Sequence, residues 1–187
     1  MQAADIRMLG VDIAHAGMDQ RKVHMLAREV AEKHKWKKPV ALHHKLLMGL
    51  LGPQKMGFEE NEADDTAISS KMSKSKPDSC IFIHDSEEEI ARKVKSAYCP
   101  EKVAENNPVL EMCEVFIMRG GAPLKVMRPA KFGGDTEFAT YHELCGAYVA
   151  GKLHPMDLKN ATASALAAML EPSREYFGKH PGLLGQV

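Results

Sequence analysis

Lys71-Met72-Ser73-Lys74-Ser75 stands in a polar stretch between a glycine-containing run, Gly49 to Gly57, and the apolar triplet Ile81-Phe82-Ile83. Two lysines flanking a small hydroxyl residue suit an anionic partner. Each ammonium is a mobile point charge for phosphate oxygens, and serine hydroxyls with loop N–H groups add hydrogen bonds. A bare K-x-x-K is an ordinary solvated turn. The full pentapeptide is more restrictive, and what surrounds it sets the fold.

Upstream, the pattern is mixed. Met18 to Lys35 predicts a helix, with Val23, Leu26, Ala27 and Val30 at i, i+3, i+4 and i+7 and a charged opposite side. Pro39-Val40-Ala41-Leu42-His43 predicts a short strand. The stretch from Leu50 to Ser75, with its glycines and the acidic run Glu59, Glu60, Asn61, Glu62, Ala63, Asp64, Asp65, predicts a long mobile loop.

Downstream, helices dominate. Ile81-Phe82-Ile83 is a candidate strand. Ser86 with Glu89 predicts a capped helix with Ile90, Val94 and Ala97 as its apolar stripe. Pro108 to Met118 predicts another helix, ended by Gly120-Gly121, and Leu124 to Met127 a strand. Thr140 with Glu143 predicts a capped helix through Tyr148. Pro155 opens the last long helix, which alanines favour and Pro172 either kinks or divides. The composition shift places a domain boundary near Asp85.

Lys+Arg and Asp+Glu are 25 each among 187 residues, so no bulk positive charge holds a nucleic acid; contacts by a few placed groups remain open. No apolar run is long enough to cross a membrane, and the first residues have no secretory pattern. Cys80, Cys99, Cys113 and Cys145 include no C-x-x-C pair, which predicts reduced, buried thiols in a cytoplasmic protein and no zinc site.

The pentapeptide at Lys71 is identical to the signature loop of class I aminoacyl-tRNA synthetases. The run Gly17-Met18-Asp19-Gln20-Arg21-Lys22-Val23-His24-Met25-Leu26-Ala27-Arg28 resembles the tyrosyl-tRNA synthetases of archaeal and eukaryotic type. So do Lys131-Phe132-Gly133-Gly134-Asp135, His154-Pro155-Met156-Asp157-Leu158-Lys159-Asn160 and Leu170-Glu171-Pro172-Ser173-Arg174-Glu175, in the family's order. The resemblance implies an α/β fold: the C-terminal part of a Rossmann-like class I catalytic domain with its KMSKS loop over residues 1–85, then an α-helical anticodon-binding domain over 86–187. It implies a tyrosine–tRNA ligase that joins L-tyrosine to ATP as tyrosyl-adenylate and transfers it to tRNA(Tyr). Mg2+ would be carried by ATP without a protein metal site, and the complete enzyme would be a homodimer.

By the same resemblance, Lys71 and Lys74 are the catalytic lysines, and with Ser73 they bind ATP. Gln2, Asp5 and Gln20 bind tyrosine, with Asp5 accepting the phenol hydroxyl. A buried acceptor of that kind would reject phenylalanine, because its charge would be left unpaired. Arg21 approaches the acceptor stem. Phe132 and His154 sandwich the first anticodon base, and Asp157 accepts from the Watson–Crick edge of guanine; the tyrosine anticodon begins with G. His15, His24, His43 and His44 receive no family role and read as structural or surface histidines.

Two departures from the family stand out. The segment between Gly52 and Lys71 is longer than expected and holds the acidic run. The H-I-G-H-like motif of the family's N-terminal half, and the tyrosines that complete its amino acid pocket, do not occur. The chain therefore reads as a C-terminal portion, inactive alone. It is a truncated form, one subunit of a split enzyme, or a catalytically incompetent tRNA-binding module; a different nucleotidyltransferase is a remote fourth.

Overall fold

A computed structural model describes residues 1–57 and 61–186. The chain packs as two compact units, Met1–Leu46 and Leu47–Val187. Residues 47–85 pack in the second unit, where Leu50 joins the helical core.

In the first unit, α1 (Gln2–Met8) lies on α2 (Arg21–Lys33), and β1 (Ile13–Gly17) pairs in parallel with β2 (Val40–His44), Ile13 opposite Val40 and Gly17 opposite His44. This is one β–α–β crossover, since parallel neighbours need a long connection. The strand expected at Pro39–His43 is shifted by one residue. The expected helix from Met18 begins instead as a 3-10 turn, Met18–Gln20, before α2. The buried stripe of α2 is His24, Ala27 and Ala31, while Leu26 is exposed. Ile6, Ala14 and Ala27 form a small core. Beside it lies an apolar cavity of about 540 Å3 lined by residues such as Ile6, Val11, Leu26, Val30 and Trp36.

The second unit holds α3 (Glu62–Ser69), α4 (Glu87–Ser96), α5 (Pro108–Met112), α6 (Tyr141–Val149) and α7 (Pro155–Lys179), with an antiparallel pair, β3 (Leu124–Val126) and β4 (Thr136–Phe138). Its core joins Leu50, Ile90, Val94, Val109, Leu110, Leu144, Tyr148 and Leu158. Ser86 caps α4 by accepting from the Glu89 N–H at 3.1 Å, and Thr140 with Glu143 forms a reciprocal capping box on α6.

Three expectations need correction. The predicted mobile loop contains α3, because the Asn61 carboxamide accepts from the Ala63 and Asp64 N–H groups at 2.9 and 3.1 Å and Glu62, Asp64 and Asp65 sit at the positive end of the helix dipole. Glu59 and Glu60 of the acidic run lie outside the described residues. Ile81-Phe82-Ile83 is not a strand: the Phe82 N–H donates to the Asp85 carboxylate at 2.9 Å and turns the chain. The helix predicted to reach Met118 changes to a π-helical turn at Cys113–Ile117, where the Met118 N–H reaches the Cys113 carbonyl at 2.8 Å.

Pro172 does not divide α7. It removes one backbone donor, and nearby the Arg174 guanidinium donates to the Ala167 carbonyl at 2.7 Å and pairs with Glu171. Among the described residues, no helix is long and apolar enough to cross a membrane.

Candidate functional site

The loop Lys71–Ser75 is held on both sides by backbone bonds. Upstream, Gly49 N–H donates to Ser70 O at 2.7 Å, Met72 N–H donates to Leu47 O at 2.8 Å, and Met48 bridges Lys71 in antiparallel fashion. Downstream, Lys76 N–H donates to Ser73 O at 3.1 Å, and the buried Ser79 hydroxyl reaches the Ser73 and Lys76 carbonyls at 3.2 and 2.7 Å. The crest between these anchors carries Lys74, which is exposed, and Ser73, half-buried. A cationic crest on fixed ends presents a movable ammonium over a rigid base, which suits a polyphosphate whose charge changes during reaction. The donor set of Lys71, Ser73 and Lys74 thus fits ATP phosphates.

The segment before the loop is itself tied down. The Asp65 carboxylate, buried on α3, accepts from the Met56 and Gly57 N–H groups, each at 3.1 Å. The longer connection before Lys71 is therefore a packed element where it is described.

In the first unit, Gln2 and Asp5 lie one turn apart on α1, both exposed. Gln20 is half-buried at the N-cap of α2, and Arg21 is exposed in its first turn. Among the described residues no hydrogen bond joins Gln2 or Asp5 to Gln20. Gln20 and Arg21 follow the carboxyl end of β1, and His43 and His44 close β2. Carboxyl ends of parallel strands are where open α/β sheets place ligands.

His15, His24, His43 and His44, read from the sequence as structural or surface histidines, gather near that end. His43 Nε2 is 3.0 Å from His24 Nδ1, and the rings of His15 and His44 meet edge to face with centroids 5.1 Å apart. Burial, then the neighbouring His24, Arg21, His15 and His44, hold His43 below the usual histidine range. The register of two parallel strands brings these residues together, and no single run of sequence displays it.

In the second unit, Phe132 sits in a 3-10 turn, Ala130–Phe132, and is 59% exposed. The following turn needs Gly133 and Gly134 in left-handed conformations, φ 100° and 70°. Arg128 organises it: its N–H donates to the Asp135 carboxylate at 2.9 Å, its Nε to Gly134 O at 2.7 Å, and its Nη1 to Lys152 O at 3.1 Å. The last bond ties the Phe132 turn to the entry of α7. His154 is the N-cap there, with Nδ1 accepting the Met156 N–H at 3.1 Å, which leaves Nε2 on the outer side of the ring. Asp157 follows in the first turn, half-buried, and its carboxylate has no hydrogen-bond or ion-pair partner among the described residues. An exposed aromatic ring, an imidazole and an open carboxylate can stack and read an unpaired base. Arg128 is the positioning residue sequence reasoning missed.

Two of the thiols, Cys80 and Cys113, are buried as expected, and burial pushes Cys113 up to about 12 and raises Cys80, which suits neither to nucleophilic chemistry; Cys99 and Cys145 are half-buried instead. Among the described residues no group of three or more His, Cys, Asp or Glu side chains is arranged to hold a metal ion.

Residues 1–68 and 64–171 match the family described as tRNA synthetases class I (W and Y). The tyrosine–tRNA ligase of Thermococcus sibiricus is 51% identical over 192 residues, covering 97% of this chain and 51% of the relative. That of Saccharolobus islandicus is 51% identical over 182 residues, covering 97% of this chain and 50% of the relative. The crystal structure of the Pyrococcus horikoshii tyrosyl-tRNA synthetase complexed with L-tyrosine superposes with a TM-score of 0.85 at 50% identity, over 98% of this chain and 53% of that one. The Aeropyrum pernix tyrosyl-tRNA synthetase gives 0.77 at 42% identity, over 97% and 48%. The chain thus spans about half the length of the relatives it matches. A loop of placed lysines, a βαβ unit and a helical part, carried on a sequence half identical to these enzymes, make the chain a member of the class I tRNA synthetases of the tryptophan and tyrosine group, on its tyrosyl branch.

Proposed function

We propose that this chain carries the KMSKS part of the catalytic domain and the anticodon-reading domain of a tyrosine–tRNA ligase. In this reading residues 1–85 belong to the catalytic domain and residues 86–187 bind the anticodon. The observation that carries it is the Lys71–Ser75 loop, with both ends fixed by backbone bonds and Lys74 exposed on its crest.

Tyrosine's carboxylate oxygen attacks the α-phosphorus of ATP, the bond to the bridging oxygen breaks, and pyrophosphate leaves. The ATP-borne Mg2+ supplies further neutralisation of phosphate charge. Lys74 and Lys71 stabilise the charge that grows on the departing phosphates, and Ser73 donates beside them. Gln2, Asp5 and Gln20 hold tyrosine. A ribose hydroxyl of the terminal adenosine of tRNA(Tyr) then attacks the tyrosyl carbonyl, the ester forms as the acyl–phosphate bond breaks, and AMP leaves, with Arg21 at the acceptor stem. Phe132 and His154 stack the first anticodon base and Asp157 accepts from guanine. The complete enzyme works as a cytoplasmic homodimer.

The test is tyrosine-dependent pyrophosphate exchange by this chain, alone and supplemented with the N-terminal half of the Pyrococcus horikoshii relative. We expect no exchange alone and exchange with tyrosylation on supplementation. In the supplemented enzyme, Lys74→Ala should slow exchange about a hundredfold or more and change tyrosine binding far less. Equal effects on both would rule out a transition-state role.

A second reading, a tRNA-binding module without catalysis, rests on Phe132, His154 and Asp157, whose placement at the entry of α7 does not depend on the lysine loop. It requires anticodon-dependent tRNA binding with no exchange under any supplementation.

A further inference from the structure

Beyond the base-reading trio, α4 and α7 pack side by side and leave a cleft of about 340 Å3 between them. Its walls include Arg92 and Lys95 of α4 and Asn160 and Ser164 of α7. Asp157, Asn160 and Ser164 stand at i, i+3 and i+7, so they share one stripe of α7. At ~1.5 Å rise per residue the stripe runs roughly 10 Å from Asp157 to Ser164. The cleft therefore continues the surface that begins at the anticodon-reading residues.

Its charge is graded along its length. Lys159 Nζ donates to the Lys95 carbonyl at 2.9 Å, which brings two ammonium-bearing residues together beside the first turns of α7. Neither Lys95 nor Lys159 has an ion-pair partner among the described residues. Arg92, by contrast, is bound by Asp78 and Glu89 at 3.1 and 3.0 Å and is largely neutralised. The acid of the cleft, Glu87, lies in the first turn of α4, two turns from Lys95. The end nearer Asp157 is thus cationic, and Asn160 and Ser164 bring an amide and a hydroxyl donor to its wall.

We propose that this cleft, with Lys95 as its principal charge, is a phosphodiester subsite for the RNA backbone next to the anticodon base. The inference rests on the anticodon reading above. An RNA whose first anticodon base lies against Phe132, His154 and Asp157 must run its backbone along a neighbouring surface. The Lys95 end of the cleft joins that surface and carries cations with polar donors. Contacts of this type hold and orient the strand and carry no sequence information. The zero net charge of the chain makes such placed cations the source of its electrostatic attraction for RNA.

The test measures binding of two transcripts of tRNA(Tyr), one with G and one with C at the first anticodon position, across a salt series. The chains are wild type, Lys95→Ala, Ser164→Asp and Asp157→Ala, each with its fold checked by circular dichroism. Lys95→Ala should weaken both transcripts alike, about fivefold, and lower the salt slope by about one. Ser164→Asp, which adds a carboxylate to the cleft and leaves Lys95 in place, should also weaken both. Asp157→Ala should weaken chiefly the G transcript. If Lys95→Ala and Ser164→Asp bind both transcripts with unchanged affinity and slope while Asp157→Ala loses the G preference, the subsite is overturned and the anticodon reading survives. If the wild-type chain binds neither transcript, or binds both equally, the anticodon reading fails and the subsite falls with it.

Discussion

Lys93 Nζ lies 2.6 Å from Asp85 Oδ2, and the two side chains are only 4% and 8% exposed. Asp85 also accepts the Phe82 N–H, and the Phe82 ring centroid lies 4.7 Å from the ammonium. Lys93→Met should destabilise the protein by about 3–5 kcal/mol, because it leaves a buried carboxylate uncompensated. Combining it with Asp85→Asn should recover much of that loss. Urea unfolding of the two variants decides the matter; a single variant costing under ~1 kcal/mol would class the pair with exposed ones.

The His24–His43 contact predicts a pH response. The folded value of His43 is lowered, so the unfolded chain binds its proton more readily. The neutral ring's contribution is present above the ordinary histidine value of about 6.5 and is lost as pH falls through that value toward the folded one. His43→Gln should reduce the drop in melting temperature between neutral and mildly acidic pH. An identical drop in variant and wild type would exclude His43 as its source. Burial is the largest cause of the lowering, followed by the neighbouring His24, Arg21, His15 and His44, so Arg21→Gln should shrink the response only in part.

Gly52 is predicted to tolerate no side chain. Its φ is +80°, and a Cβ there would come within 2.4 Å of Tyr98 Cγ. The Tyr98 N–H is itself bonded to Leu50 O at 2.7 Å, which limits how far the ring can retreat. Gly52→Ala should cost more than 2 kcal/mol, roughly, by combining strain with a clash. Gly57→Ala is the control: its φ is +73° but no described atom lies within 4 Å of the added carbon, so it should cost only about 1–2 kcal/mol of left-handed strain. Thermal melts showing equal losses would remove the steric part.

Where structure depends on residues close in sequence, the sequence displayed it. Ser86, Thr140 with Glu143, and Pro155 each mark a helix start, because a cap is chemistry within one turn. The KMSKS loop was legible for the same reason. Asn61 is a cap of the same kind, yet the glycines before it and the acidic run around it obscured α3. β1 escaped notice because Ile13-Ala14-His15-Ala16-Gly17 has a single β-branched residue, and its pairing partner lies beyond a whole helix. Ile81-Phe82-Ile83 has strand composition, but the Asp85 carboxylate takes its backbone donor. The work of Arg128 depends on the carbonyls of Gly134 and Lys152, and the histidine cluster depends on strand register. Both are distant relations that periodicity does not encode.

The parallel pair β1–β2 has a consequence for assembly. Parallel ladders are ordinarily buried on both faces, yet Ile13, Val40 and Leu42 are 63%, 58% and 55% exposed. Neither strand has a second neighbour among the described residues. Unpaired amides beside greasy side chains template further strands. In the reading proposed above, β1 and β2 are two strands of a larger parallel sheet, and these faces and edges are where the rest of the catalytic domain packs. Ile13→Lys or Val40→Lys should therefore weaken capture of the supplemented N-terminal half, read as lost restoration of pyrophosphate exchange with the helical unit still folded.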